Sequence, residues 1–127
     1  MTQLAVVAAH RTGQPLNRQL VALGGRYVRT AATAPVYKLL ALAGGDVARG
    51  GIWWAGADGD SVEVELHQLP LAAVGELVML LPAPLAVGRV ELTDGSWVCG
   101  LVCAYRPDDA VDVTCHGSWP RYLASRS

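Results

Sequence analysis

The chain is poor in charge, cysteine and long apolar runs, and each shortage removes a class of protein. Charged residues make up 17% of the 127 positions, and the 10 lysines and arginines never gather into a basic run. With a formal net charge of −1, the sequence lacks the positive field that nucleic acid or an anionic membrane surface requires. The three cysteines, Cys99, Cys103 and Cys115, are odd in number and form no Cys-x-x-Cys pair. That excludes a disulfide framework and gives no metal signature, so they read as reduced thiols in packing positions. No apolar run is long enough to cross a bilayer. Met1-Thr2-Gln3 lacks the basic segment that precedes a secretory signal, and the expected compartment is the cytoplasm.

What is present is a hydrophobic fraction of 52%, enough for one domain over residues 1–127 that buries about two thirds of its unfolded surface. Leu4 to Ala9 reads as a buried strand. His10 then stands at a strand end, Gly13 supplies the dihedrals of a tight loop, and Pro15 presets a helix that runs to Leu23 and closes at Gly24-Gly25. Such a strand-loop-helix junction directs backbone N–H groups at a small anion.

Farther along, Arg26 to Ala32 and Tyr37 to Ala43 read as neighbouring strands around the bend at Ala34-Pro35. Gly44-Gly45-Asp46 and Arg49-Gly50-Gly51 bracket a surface loop, followed by a short strand at Ile52-Trp53-Trp54. If extended, Trp53 and Trp54 face opposite ways, and the exposed one marks a partner surface. Ser61 to Leu69 alternates, with Val62, Val64 and Leu66 on one face and Glu63, Glu65 and His67 on the other, the latter most simply solvated. Pro70 opens a buried helix to Leu81, Thr93-Asp94-Gly95-Ser96 turns a hairpin between residues 86–92 and 97–105, and Ser118 caps a terminal helix. These elements make an α+β fold on a small mixed, mainly antiparallel sheet.

Several stretches in order carry a family resemblance: Val6-Val7-Ala8-Ala9-His10-Arg11-Thr12-Gly13-Gln14-Pro15-Leu16-Asn17, Thr33-Ala34-Pro35-Val36-Tyr37, Val62-Glu63-Val64-Glu65 before Leu69-Pro70, Pro82-Ala83-Pro84-Leu85, Glu91-Leu92-Thr93-Asp94-Gly95-Ser96, and Gly117-Ser118-Trp119 with Tyr122-Leu123. Over nearly its whole length the chain resembles the C-terminal domain of allophanate hydrolase, related to the γ-glutamylcyclotransferase-like fold. The resemblance implies a barrel-like sheet with helices around it. It also implies decarboxylation of N-carboxycarbamate, a small anionic substrate, downstream of an amidase whose Ser-Ser-Lys machinery these residues do not contain. The chain departs from the family pattern at Ala8, usually glycine, at Gln14, commonly methionine, and at His67, where an aromatic residue usually follows the Val-Glu-Val-Glu strand. The substrate is therefore left open.

Loss of carbon dioxide from an N-carboxy compound needs a dry pocket and a proton donor for the nitrogen. An imidazole titrating near neutrality suits that role, which makes His10 the candidate acid/base, with Glu65 a lower-ranked candidate carboxylate. Thr12, Gly13 and the helix start near Leu16 are positioned to orient a carboxylate, Asn17 to meet a urea-like amide, and Tyr37 to line the pocket. Each has a structural alternative: His10 satisfied at a strand end, Asn17 bonding its own loop, Tyr37 in the core. No cofactor or metal is expected, His67 and His116 having no ligand spacing. Two other functions compete with the decarboxylase. One is a non-catalytic subunit docked on an amidase, and the other a γ-glutamylcyclotransferase, disfavoured because the loop carries His10-Arg11-Thr12-Gly13 in place of a Tyr-Gly-Ser pattern. An apolar, Trp-bearing surface also leaves a homodimer open.

Overall fold

The computed structural model describes residues 1–126, and its first strand, β1 (Thr2–Val6), lies between two partners distant in sequence. It runs antiparallel to β5 (Glu63–Leu69), pairing Leu4 with His67 and Val6 with Glu65. On its other edge it runs parallel to β7 (Trp97–Cys103), pairing Leu4 with Cys99 and Ala5 with Gly100. Between these come α1 (Asn17–Ala22), β2 (Arg26–Ala32), β3 (Tyr37–Leu42), β4 (Arg49–Trp54), α2 (Leu71–Val78) and β6 (Leu85–Glu91). A short β8 (Val111–Asp112) and α3 (Trp119–Ser125) complete the chain.

The strands form one eight-stranded sheet in the order β2-β5-β1-β7-β4-β3-β8, with β6 on β7. Only β1–β7 and β4–β7 are parallel, so the sheet is mixed and mainly antiparallel, in an α+β fold as the sequence predicts. The ladder is not closed. Its curl brings Thr33, beyond β2, into a single bridge with Leu92, beyond β6, where the Ala34 N–H donates to the Glu91 carbonyl at 2.9 Å.

Alternation along the strands divides most of the apolar residues between two clusters, and a third, smaller one holds Leu40, Leu85 and Cys103. Val62, Val64 and Leu66 face inward, packing with Ala5, Tyr37, Leu39, Ile52 and Trp119. Leu4, Val6 and Leu69 face the other way, under Leu20 of α1 and Ala73, Val74 and Leu77 of α2. The second face is therefore covered as well, and Glu65 and His67 on it are 7% and 2% exposed rather than solvated.

Tertiary packing corrects several local expectations. β2 pairs with β5, while β3 pairs with β4 and β8, so β2 and β3 are not neighbours. Arg49-Gly50-Gly51 is the start of β4, not part of a loop. Its glycines answer to close packing: a Cβ on Gly50 would lie 2.5 Å from the Trp119 ring, and one on Gly51 2.6 Å from the Cys103 sulfur. β1 ends at Val6, and α1 starts at Asn17 with Leu16 as its N-cap residue, so Pro15 precedes the helix. α2 ends at Val78 and is a surface helix; only Ala73, Val74 and Leu77 are buried, whereas Leu71 and Met79 beside it are 70% and 84% exposed. Cys103 is buried but Cys115 is exposed, so not all three thiols pack. Among the described residues no helix is long and apolar enough to cross a membrane.

Candidate active site

Residues 7–16 leave β1 and fold back over its outer face. Val7, Ala8, Ala9, His10 and Arg11 are all buried, which commits this polar backbone to internal hydrogen bonds. The Gln14 N–H donates to the Arg11 carbonyl at 3.0 Å, and the Leu16 N–H to the Ala9 carbonyl at 2.9 Å. Gly13, third in the Arg11–Gln14 turn, has φ +83°, the left-handed value a type II turn demands there.

The turn sets the Thr12 amide over β5. Its N–H donates to Glu65 Oε1 at 2.7 Å, and the same oxygen is 3.1 Å from His67 Nε2. Arg11 reaches both acids of the strand, with Nη2 2.7 Å from Glu63 Oε1 and Nε 3.8 Å from Glu65 Oε2. Burial pushes the Glu65 carboxyl up, but the Thr12 and His67 hydrogen bonds and the Arg11 charge outweigh it and hold the group below the usual carboxylate range. Glu65 is thus an ionised carboxylate held in a nearly dry site. Ionised, it accepts from His67 Nε2–H.

β2 supplies the opposite wall. Tyr27 pairs with His67 and Thr30 with Glu65, and an irregularity between Tyr27 and Arg29 lets residues three apart share a face. The Tyr27 ring meets His67 edge-on at 5.8 Å, and its hydroxyl is 2.8 Å from Thr30 Oγ1.

His10 is as buried as His67, 2% exposed, with Nε2 2.7 Å from Gln19 Oε1 of α1. Burial lowers its pKa; the Gln19 hydrogen bond opposes this, and the nearby charges of Arg49 and His67 lower it further. Asn17 donates from Nδ2 to the His10 carbonyl at 3.0 Å and so ties down the loop. The Leu16 side chain is core. Tyr37 faces the inner cluster with Val64 and Leu66, on the opposite side of the sheet from Glu65, and its hydroxyl accepts the Glu91 N–H at 2.9 Å.

The structure therefore gathers Thr12, Gly13 and Glu65 at one place, buries His10 against Gln19 of α1, and leaves Leu16 and Tyr37 in packing roles. Arg11, Gln19, Tyr27 and Thr30 join the group without a sequence signal, because their proximity depends on the loop's return over β5. His116 packs on Tyr122, whereas His67 lies against Tyr27 and Glu65. No cluster of metal-binding side chains occurs among the described residues.

The curled, mainly antiparallel sheet with short helices packed on it is a γ-glutamylcyclotransferase-like fold. An AIG2-like protein from Mus musculus shares that fold, with a TM-score of 0.62 at 16% identity over 85% of this chain and 81% of its own. The chain belongs to the allophanate hydrolase C-terminal domain family, whose model matches residues 2–124. Urea amidolyase of Lachancea kluyveri is 34% identical over 126 residues, which are 95% of this chain but 7% of that protein. Allophanate hydrolase of Kluyveromyces lactis superposes with a TM-score of 0.92 at 32% identity, over 99% of this chain and 21% of its own. A uropathogenic E. coli-specific protein matches at nearly full length, with 34% identity, a TM-score of 0.86, and 97% of this chain against 95% of its own. The family thus occurs both as a small part of long chains and as a chain of about this size.

Proposed function

We propose that this chain removes carbon dioxide from a small N-carboxylated, urea-derived anion such as N-carboxycarbamate, supplied by an amidase. The observation that carries the reading is the buried group of Glu65, His67 and Arg11 under the Thr12 amide, on the same loop as the buried His10, whose Nε2 meets Gln19. The family and its urea amidolyase relative favour this substrate class. Gly13, an exposed residue of the turn, orients the substrate carboxylate with its amide, while the Thr12 amide stays on Glu65 and holds the turn in place. His10, neutral in the free protein, takes up a proton when a dianion settles nearby and raises its pKa. The bond between nitrogen and one carboxylate carbon then breaks and its electron pair stays on nitrogen. The imidazolium proton moves to that nitrogen, and carbon dioxide departs. Glu65 holds the compensating negative charge, and Asn17 fixes the His10 backbone. No cofactor is needed for this step, and free thiols suit the reducing cytoplasm.

Carbon NMR of labelled allophanate, incubated with an amidase that lacks such a domain, tests the reading. N-carboxycarbamate disappears faster with the unmodified protein, and its decay returns to the background rate with His10→Ala. Decay at background in every sample refutes it.

A second reading is an accessory subunit of an amidase. It draws support from the sealing of His10 at 2% exposure against Gln19, which suits a latch that pins residues 7–16 to α1. In that case His10→Ala alters amidase stability or assembly and leaves the decay of the intermediate untouched.

A further inference from the structure

We propose that the outer face of α2 is a self-association surface, on which a second copy of this chain packs antiparallel about a two-fold axis at Gly75. The helix turns Ala73, Val74 and Leu77 down onto the sheet. Its opposite side leaves Leu71, Ala72, Gly75, Val78 and Met79 exposed, and Met79 continues the helix with φ −68° and ψ −14°. At 100° per residue these five cover about 120° of the helix, centred on Gly75. Leu71 at 70% and Met79 at 84% exposure are large apolar side chains held in water on one strip, the mark of a contact surface.

The order of the five names the occupant. Leu71 and Met79 stand four residues before and four after Gly75, and Ala72 and Val78 three before and three after. A face that reads alike in both directions suits an isologous contact, in which one patch meets its own copy. In the antiparallel arrangement Leu71 lies against the partner's Met79, and Ala72 against the partner's Val78. Leu71, Gly75 and Met79 form one of the i±4 ridges that interdigitate when helices cross.

Gly75 is an independent observation pointing the same way. Glycine in the middle of a helix is less favourable than alanine, because its backbone loses more freedom. Its φ is not left-handed, and a Cβ there would meet nothing within 4 Å, so no contact inside the chain calls for glycine. A helix crossing at that point does, since the missing side chain lets two backbones approach.

Charge agrees with a second copy. Glu76 is the one charged residue from Leu71 to Leu81, and it lies about 100° round the helix from Gly75, where it stays in water at the rim. That stretch has no Lys or Arg, so it lacks the positive charge that holds a surface helix to an anionic membrane. A contact made by one helix pair is small, and the association is therefore weak and concentration-dependent.

Sedimentation velocity on dilution from about 1 mM, where even a weak interface is populated, tests the proposal. The chain passes from dimer to monomer. Leu71→Glu and Met79→Glu, at exposed positions, keep the circular dichroism of the unmodified chain and weaken association at least tenfold. Gly75→Leu favours the helix yet weakens association to the same extent by its bulk. Cross-linking reads the register, with the exposed Cys115 replaced by serine. Leu71→Cys mixed with Met79→Cys gives an oxidised dimer faster than either variant alone, and Gly75→Cys cross-links with itself. A chain monomeric at every concentration, a dimer that both glutamate variants leave intact, or equal cross-linking of mixed and separate variants overturns the proposal. A monomer that instead holds an amidase through this face, with binding lost in Met79→Glu, overturns it too. None of these readouts depends on decarboxylation.

Discussion

The Thr12 amide and the Glu65 carboxylate, 53 positions apart, meet at 2.7 Å and close the loop after β1 onto β5. The bond serves two ends, since it satisfies an amide in a turn and holds an ionised carboxylate beside His67. Charge-assisted bonds of this kind are about twice as strong as neutral ones.

Glu65→Gln keeps an acceptor for Thr12 but leaves Arg11 with Glu63 alone. The expected cost is about 1–3 kcal/mol, read as a lower urea midpoint at neutral pH. The folded pKa of Glu65 lies below its unfolded value, so its contribution is present above the ordinary carboxylate range and lost as pH falls through the folded pKa. The variant therefore loses less stability on acidification from about pH 5 to pH 3 than the unmodified protein does.

His10 behaves in the same sense for a different reason. Its folded pKa is lowered chiefly by burial, so neutral His10 supports the fold above its unfolded pKa, and this support fades as pH falls below about 6.5. NMR titration is expected to show the His10 ring protonating below that value, with acid destabilisation reduced in His10→Ala.

Gly50→Ala is expected to destabilise by about 1–3 kcal/mol, because the new methyl would meet the Trp119 ring at 2.5 Å and the Leu40 carbonyl at 3.0 Å. Tryptophan fluorescence during thermal unfolding checks it. Gly95→Ala meets no neighbour but must adopt φ +84°, so its cost is conformational alone, about 1 kcal/mol.

Thiol labelling separates the cysteines. Cys115 is exposed and reacts promptly at pH 8, whereas burial pushes the Cys103 thiol up to about 11, so it reacts only when the protein unfolds. Counting fast and slow thiols with a chromogenic disulfide checks this directly.

Local chemistry was legible wherever neighbours in sequence carry it. Gly13 turns the loop with φ +83°, Asp94 Oδ1 accepts the Ser96 N–H at 2.9 Å in the hairpin, and Ser118 Oγ accepts the Arg121 N–H at 3.3 Å at the start of α3. The alternation of Val62, Val64 and Leu66 gave the inner face of β5, because a strand's period is built into its backbone. The family motifs, which lie in those same stretches, gave the fold.

The sequence by itself thus determined where most strands lie, the hairpin turn, the terminal cap and the inward face of β5, all of which follow from spacing and backbone preference. Tertiary structure alone decided that Glu65 and His67 are buried, that Arg11 spans Glu63 and Glu65, and that Tyr27 rather than Tyr37 stands over His67. The physical reason is that a polar strand face has the same sequence whether it meets water or a returning loop. The return of residues 7–16 over β5, with Tyr27 against His67, removes the water, and with it comes the chemistry of the site.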